Sequence, residues 1–194
     1  MTEVSRVLWD ACVLYRWLSK SPIEYTDHIT QYVEDARTGK AEIFISSISL
    51  AELRPSVIKK PGYTPASIIR EACAFIRIID TSPDIMSLAG MLKDVTYICS
   101  TDLPKVKERS RILTTGDAIQ LATGVWMKEY FGVQNLELHT FDDGKGKNSE
   151  VDAKTVPMLS YHNWCKGLEA NDNVQLAVEL KRRKPLHPSF PMQT

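Results

Sequence analysis

The chain has 194 residues, which suggests one domain with a short appended segment. Hydrophobic residues make up 43% of the chain, enough for a sizeable core, and the formal net charge is zero. These global values give no sign of a nucleic-acid-binding protein, although net charge does not describe local patches. No stretch approaches the roughly 20 apolar residues that cross a bilayer and no signal peptide is visible, so we expect a soluble, cytoplasmic protein without a membrane partner.

The first half of the chain alternates short apolar runs with segments of helical spacing. In chain order the pattern predicts a strand over 6–10, helices over 11–20 and 26–40, a strand over 41–47, and a helix over 48–57 that breaks near Pro55. The second half continues this alternation. It predicts a helix running into a third strand over 66–80, a helix over 82–95, a polar and basic connection over 100–111, and a long helix over 114–132.

The remaining segments are a strand that turns into a loop over 135–146, a short edge strand over 156–161, and a helix over 171–183 whose basic end, Lys181 to Lys184, caps it. A Pro-rich tail over 184–194 is expected to be loosely ordered. Strands that alternate with helices predict an α/β fold with a mostly parallel sheet.

The four cysteines are widely separated along the chain, at Cys12, Cys73, Cys99 and Cys165. They form no CxxC pair, and neither they nor the histidines show metal-ligand spacing. Each cysteine also sits among apolar or aromatic neighbours. We therefore expect buried free thiols in a reducing compartment.

Acidic residues stand where an open α/β sheet binds its ligands, beyond the carboxyl ends of the strands. Asp10 ends the first predicted strand, and Asp142 ends the strand in 135–146. Glu52 lies just past the second strand, and Asp117 opens the long helix. Although these four acids are distant in sequence, this fold type can bring them into one pocket.

Each acid also has a structural interpretation. Asp10 can cap the helix after it, and the negative charge of Asp117 can interact favourably with the positive end of its helix dipole. Asp142 with Asp143 can belong to a turn. Glu52 fits such an interpretation least well, because a buried, unpaired acid on an apolar helix face is costly. Taken together, clustered carboxylates repel one another unless a cation lies among them, and oxygen ligands suit Mg²⁺ or Mn²⁺.

The segments that carry these acids resemble the PIN-domain nucleases, and particularly the small VapC-type toxin ribonucleases. The matching segments are "VLWDACVL" with Asp10, "ISSISLAEL" with Glu52, "TTGDAIQLATG" with Asp117 and "HTFDDG" with Asp142. Their order and approximate spacing fit the family over roughly residues 4 to 160. The toxins usually carry a histidine where this chain has Gln120.

The resemblance implies a PIN-like, Rossmann-like fold of three layers, α/β/α, with a central parallel sheet, formed by residues 1–165. It implies that Asp10, Glu52, Asp117 and Asp142 are catalytic and hold Mg²⁺ or Mn²⁺, with Asp143 as an alternative fourth ligand. Residues Ser46 and Thr140 match small hydroxyl positions that often support the site. The segment 166–194 is a C-terminal extension that the resemblance does not explain.

The function that the resemblance implies is metal-dependent hydrolysis of RNA phosphodiester bonds by the toxin of a toxin–antitoxin pair. The implied partners are an RNA substrate, an antitoxin protein and a second copy of the chain. Two alternatives stay open: a PIN-fold RNA-binding or scaffold module with little activity, and a DNA nuclease of the related flap type.

A basic segment precedes Asp117 and carries Lys105, Lys107, Arg109 and Arg111. These four residues can steer an RNA backbone toward the acids. They can equally form a solvated loop and helix face, since acidic residues in the same segment dilute the charge. Both interpretations stay open. For the basic run Lys181 to Lys184 the case for an RNA contact is weaker still, and a charged helix end is the preferred interpretation.

Overall fold

The computed structural model describes residues 4–19, 24–54, 58, 67, 70, 74–99, 110–144 and 155–190. Its strands are β1 (Ser5–Trp9), β2 (Ala41–Ser46), β3 (Ile76–Ile79), β4 (Leu136–His139) and β5 (Lys181–Arg183). Its helices are α1 (Ala11–Ser19), α2 (Thr26–Arg37), α3 (Ser47–Glu52), α4 (Pro83–Lys93), α5 (Thr115–Glu129) and α6 (Asp172–Glu179), and a 3₁₀ helix spans Met158–Trp164.

The five strands form one sheet in the order β3-β2-β1-β4-β5, and every neighbouring pair is parallel. Trp9 at the end of β1 pairs with Ile45 on one side and with His139 on the other. Because parallel strands run in one direction, their carboxyl ends meet at one edge of the sheet. The predicted α/β class with a central parallel sheet is confirmed.

Two apolar clusters cover the two faces of this sheet. On one face Val7 and Trp9 of β1 pack with residues of α1 and α2. On the other face Leu8 packs with residues of α4, α5 and α6. Successive strand residues therefore enter opposite clusters, and both faces of the sheet are buried, as expected for parallel strands with helices on both sides.

Helix α5 lies close to its neighbours because of its small residues. It is buried continuously from Ala118 to Val125. A methyl group at Gly124 would lie 2.5 Å from the Leu180 side chain, so only glycine permits the observed contact. This close packing holds the first turn of α5 at the carboxyl edge of the sheet.

The strand predicted over 156–161 is wrong. Met158–Trp164 forms a 3₁₀ helix, and the preceding segment makes only an isolated bridge between Thr155 and Ile112. The backbone N–H of Met158 donates to Asp142 Oδ2 at 2.9 Å, and that of Leu159 donates to the Asp142 carbonyl at 3.0 Å. These hydrogen bonds hold the chain beside Asp142, and β5 forms the edge strand of the sheet instead.

The helix predicted over 171–183 ends earlier, at Glu179, and the charged helix end predicted for Lys181 to Lys184 is wrong. Lys181 and Arg183 belong to β5 and form ion pairs with Glu137 of β4. Burial alone would raise the pKa of Glu137, but the hydrogen bonds from His139 and Lys181 and the charge of Arg183 lower it to about 2. Charge pairing across the strands thus fixes β5 beside β4, and part of the segment 166–194 belongs to the central sheet.

The chain after β5 packs over α2. The Tyr32 hydroxyl donates to the Leu186 carbonyl at 3.1 Å, and His187 is buried with its Nε2 3.0 Å from Asp35 Oδ2. Residues 184–190 are therefore tied to the body of the fold by specific contacts, which sequence composition alone did not predict.

Several predictions lie outside the described residues, namely Cys73, Lys105, Lys107, Arg109 and most of the predicted helix that precedes β3. The other cysteines, Cys12, Cys99 and Cys165, form no disulfide within the described part of the chain, and the last of them is buried. None of the helices among the described residues is long and apolar enough to cross a membrane.

Candidate active site

Asp10 follows β1 directly and is fixed from several sides. Its backbone N–H donates to the His139 carbonyl at 3.0 Å, which joins it to the end of β4. Its Oδ1 accepts from the Ala11 N–H at 2.6 Å, and its Oδ2 accepts from the Thr140 hydroxyl at 2.7 Å. The partly buried carboxylate is therefore held in one orientation at the carboxyl edge of the sheet.

Thr140 connects Asp10 to Asp142. The buried Thr140 hydroxyl donates to Asp10 Oδ2 and accepts the backbone N–H of Asp142 at 3.1 Å. Asp142 also acts structurally, because its two carboxylate oxygens accept the N–H groups of Gly144 and Met158. Asp143 is exposed. Thr140 thus has the supporting place expected for it, and Asp142 combines a place beside Asp10 with a turn-forming role.

Cys12 lies in the same cluster of hydrogen bonds. Its thiol donates to Asp10 Oδ2 at 3.1 Å and its sulfur accepts the Phe141 N–H at 3.2 Å. Burial, followed by the charge of Asp10, raises the pKa of the Cys12 thiol well above its usual value. The thiol is protonated at neutral pH and serves as a hydrogen-bond donor rather than a nucleophile.

Asp117 stands in the first turn of α5, where Thr114 caps the helix. The Thr114 hydroxyl oxygen accepts the Asp117 N–H at 3.1 Å, and the hydroxyl donates to Asp117 Oδ2 at 2.6 Å. Thr114 thus satisfies the helix end through its own side chain. The Asp117 carboxylate is not needed to accept a backbone N–H of this cap.

Glu52 ends α3 and reaches toward the first turn of α5. A methyl group at position 116 would lie 2.1 Å from Glu52 Oε1, so the carboxylate rests against the glycine that precedes Asp117. The expectation of a buried Glu52 is wrong, because the residue is exposed. Its carboxylate end is nevertheless partly desolvated, and this desolvation together with the charge of Asp10 raises the pKa of Glu52.

The four acids act on one another electrostatically. Burial raises the pKa of Asp117 to about 7, the Thr114 hydrogen bond opposes this, and the charges of Asp10, Asp142 and Glu52 add to the increase. Burial also raises the pKa of Asp142, with a contribution from Asp10. The structure therefore brings the four predicted acids into one neighbourhood, where the charge of Asp10 disfavours ionisation of the other three.

The donor chemistry of this neighbourhood fits a hard divalent cation, since all four groups are carboxylates. Within the part of the chain that the structure describes, however, no group of three or more acidic, histidine or cysteine side chains converges as ligands around one point. Several of the carboxylate oxygens instead accept hydrogen bonds from the protein.

A buried polar layer lies beneath the acids. Ser46, expected to support the site, lies 3.2 Å from the Thr123 hydroxyl. Gln120 donates to the Trp9 carbonyl at 2.9 Å and approaches Ser49 at 3.4 Å. These contacts tie α5 to the strand ends from which Asp10 and Glu52 follow.

Sequence reasoning missed the roles of Gln120, Thr123 and Ser49. A signal was present, because Gln120 and Thr123 are polar residues three apart on a helix whose neighbouring positions are apolar. Such residues must find buried partners, and here the partners lie directly under the acid cluster.

Arg111 is engaged within the protein. Its guanidinium donates to the Thr155 carbonyl at 2.9 Å and lies 3.9 Å from the Trp164 ring centroid. Burial lowers the pKa of Arg111, an effect that nearby Cys99 and Asp142 oppose. An RNA contact through Arg111 stays a prediction, as do the contacts of the basic residues outside the described ranges.

No protein-family model matches the chain, and no curated protein is significantly similar to it in sequence. The residues and geometry of the site are therefore the basis for assigning a function.

The Asp117→Asn substitution is expected to stabilise the metal-free fold at high pH. The pKa of Asp117 is about 7 in the folded state and 3.8 in the unfolded state. The loss of stability caused by ionising Asp117 is therefore complete above about pH 7 and absent below about pH 4. In chelator at about pH 8, urea unfolding should show a gain on the order of 1–3 kcal/mol for Asp117→Asn. The gain should shrink toward about pH 5.

The matched control is Asp172→Asn, which removes an exposed first-turn acid from α6. Because a first-turn acid favours the helix dipole, this change should destabilise the fold by roughly 0.3–1 kcal/mol. If Asp117→Asn is destabilised at about pH 8 as Asp172→Asn is, Asp117 is only a helix-end acid.

Proposed function

We propose that the protein is a metal-dependent endoribonuclease that hydrolyses RNA phosphodiester bonds. The observation that carries this proposal is the group of four carboxylates at one sheet edge, where burial raises the pKa of Asp117 to about 7 and the charges of the other three acids contribute. A fold does not retain such a repulsive cluster for stability, and perturbed carboxylates at a ligand-binding edge are typical of functional sites. The resemblance to PIN-domain nucleases supports the same reaction.

Asp10, Glu52, Asp117 and Asp142 would hold Mg²⁺ or Mn²⁺, with Asp143 as the alternative to Asp142. When bound, such an ion offsets charge on a phosphate and acidifies water. The finer fold assignment, a PIN-like domain, belongs to this proposal. The toxin role, the antitoxin partner and a homodimer rest on the resemblance alone.

The residues of the chain supply orientation. The Thr140 hydroxyl and the Ala11 N–H keep both oxygens of Asp10 in a fixed direction. A bound cation would stabilise the ionised form of Asp117, so this carboxylate would serve as a ligand rather than as a base. Its Oδ2 is held by Thr114, so the carboxylate is positioned before substrate arrives.

One observation favours the second candidate, a PIN-fold module that binds RNA without cutting it. Among the described residues no three acids converge, and both oxygens of Asp142 already bind backbone N–H groups. If these bonds persist when RNA and metal are present, the chain would bind RNA but not cleave it.

Cleavage of labelled single-stranded RNA should require Mg²⁺ or Mn²⁺. It should fall about 10²-fold or more in Asp10→Asn and in Asp117→Asn, since each change removes a charge that only the reaction needs. Asp172→Asn should cleave like the wild type. Gel analysis of the products, with branched DNA as the alternative substrate, makes the measurement.

Two results would contradict a metal-dependent ribonuclease: cleavage that continues in chelator, and cleavage that survives in both Asn variants. RNA binding without cleavage under every metal condition would favour the scaffold module instead. Preference for branched DNA over RNA would favour the flap-type nuclease.

The Gly116→Ala substitution should separate activity from folding. The added methyl group would lie 2.1 Å from Glu52 Oε1, so the exposed Glu52 side chain must turn away from the other acids. Alanine suits the helix, and we expect unchanged stability but cleavage reduced about tenfold or more. In Gly90→Ala, the control, the methyl group meets open space, so stability should rise by up to about 1 kcal/mol and cleavage should not change.

A double-mutant cycle identifies the cause. In a Glu52→Ala background, Gly116→Ala should have no further effect on cleavage, because its only target is gone. Additive losses in cleavage rate from the two changes would mean that Gly116 acts by a route other than Glu52. Unchanged cleavage in Glu52→Ala alone would mean that Glu52 is not part of the site.

A further inference from the structure

We infer that a row of four rings beside the acids binds the unpaired bases of single-stranded RNA. This inference rests on the proposed function and adds to it a surface of this chain that binds the bases of the substrate. The row, called the aromatic row below, consists of Phe141, Tyr25, His28 and Phe190. Successive ring centroids lie 5.4, 5.8 and 4.8 Å apart, so the rings form a continuous surface.

The aromatic row begins at the acid site. Phe141 lies in sequence between Thr140, which binds Asp10, and Asp142. Its N–H donates to Cys12, the residue whose thiol also binds Asp10. A base in contact with Phe141 would therefore place its neighbouring phosphate close to the carboxylates.

Each residue of the aromatic row is at least partly exposed. Phe190 is 36% exposed, and Phe141, Tyr25 and His28 are half-buried. Rings that served only the core would be covered, as Trp9 and Tyr32 are. Partly exposed aromatic side chains are the feature on which unpaired bases stack.

Two cations accompany the rings. The Arg16 guanidinium carbon lies 3.6 Å from the Phe141 ring centroid, and the group also donates to the Glu24 carbonyl at 2.8 Å. Lys184 Nζ lies 5.4 Å from the Tyr25 centroid. Because the acids repel a phosphate backbone, positive charges beside them are needed for RNA to approach. A guanidinium held over a ring also offers a planar group on which a base can stack.

The backbone at Tyr25 gives an independent reason to assign a function to its ring. Tyr25 has φ 72, the left-handed conformation, and it precedes α2 without a side-chain hydrogen bond to the helix end. Asparagine or glycine would suit both the conformation and the cap better than tyrosine. The ring is therefore not explained by local structure.

The test measures binding separately from cleavage. The probe is a fluorescently labelled single-stranded RNA of about ten nucleotides, a length that a stacking surface of this kind can contact. Anisotropy is recorded in chelator, where cleavage is absent, at several salt concentrations. The same sequence annealed to its complement serves as the paired comparison.

Tyr25→Asn should weaken binding of the single strand about tenfold, the effect of losing one stacked base. Its thermal unfolding midpoint should equal or exceed that of the wild type, because asparagine relieves the backbone. The duplex should bind several-fold more weakly than the single strand, since its bases are already stacked.

Lys184→Gln should reduce the slope of log affinity against log salt by about 0.7, the value for one phosphate contact on a single strand. Tyr25→Asn should leave that slope unchanged. The control is Lys40→Gln, because Lys40 is exposed and precedes β2 at the opposite edge of the sheet. Neither affinity nor slope should change in the control.

The inference is overturned if Tyr25→Asn and Lys184→Gln bind the strand like the wild type, or if the duplex binds as well as the single strand. It is also overturned if the wild type does not bind the strand at low salt. Binding that depends on the aromatic row, in a chain that never cleaves RNA with metal, supports the row and rejects the nuclease. Metal-dependent cleavage that is unchanged in Tyr25→Asn supports the nuclease and rejects the aromatic row.

Discussion

The parallel direction of all five strands is the constraint on which the site depends. It brings the segments after β1, β4 and β5 to one edge, so that Asp10, Thr140 and Lys184 become neighbours although they are far apart in sequence. The same arrangement concentrates negative charge. Burial and mutual repulsion raise the pKa of Asp117 to about 7, so ionisation of Asp117 lowers the stability of the fold.

Three of the four acids are held by the fold, and the fourth has an exposed side chain. Asp10 and Asp142 follow strands and are tied through Thr140, and Asp117 sits on a helix buried along one continuous stretch. Glu52, by contrast, ends the short helix α3 and is exposed. Three of the acids are thus held in place by the fold, whereas the fourth ends an exposed side chain that can change its position.

The polar layer beneath the acids links positioning to stability. Gln120 binds the Trp9 carbonyl, so the residue before Asp10 is held by the helix that carries Asp117. Thr123 meets Ser46 at the end of β2 in the same way. Because buried polar groups need partners, these contacts also fix the position of α5 on the sheet.

Much of the fold could be predicted from the sequence, because the alternation of apolar runs with helical spacing is local. The positions of β1, β2, β4 and α5 follow from it, and with them the four acids at the strand ends and helix start. Local patterns do not show which partner a segment meets. The segment 156–161 has the composition of a strand, but Asp142 captures its backbone and makes it a 3₁₀ helix.

The basic residues 181–183 give the opposite case. They have the composition of a helix end, but Glu137 on a distant strand recruits them into the sheet. The exposure of Glu52 and the partners of Gln120 were hidden for the same reason. In each case the deciding contact joins residues that are well separated in sequence, so the local spacing of apolar residues does not predict it.

The central claim is that carboxylates from separate strands and helices form one divalent-cation site. Binding of Mn²⁺, followed by the loss of its free-ion electron paramagnetic resonance signal, tests it most directly. We expect saturable binding by the wild type, strong weakening in Asp117→Asn, and wild-type binding in Asp172→Asn, whose acid lies outside the site. Absence of saturable binding, or equal binding by Asp117→Asn and the wild type, would contradict the account.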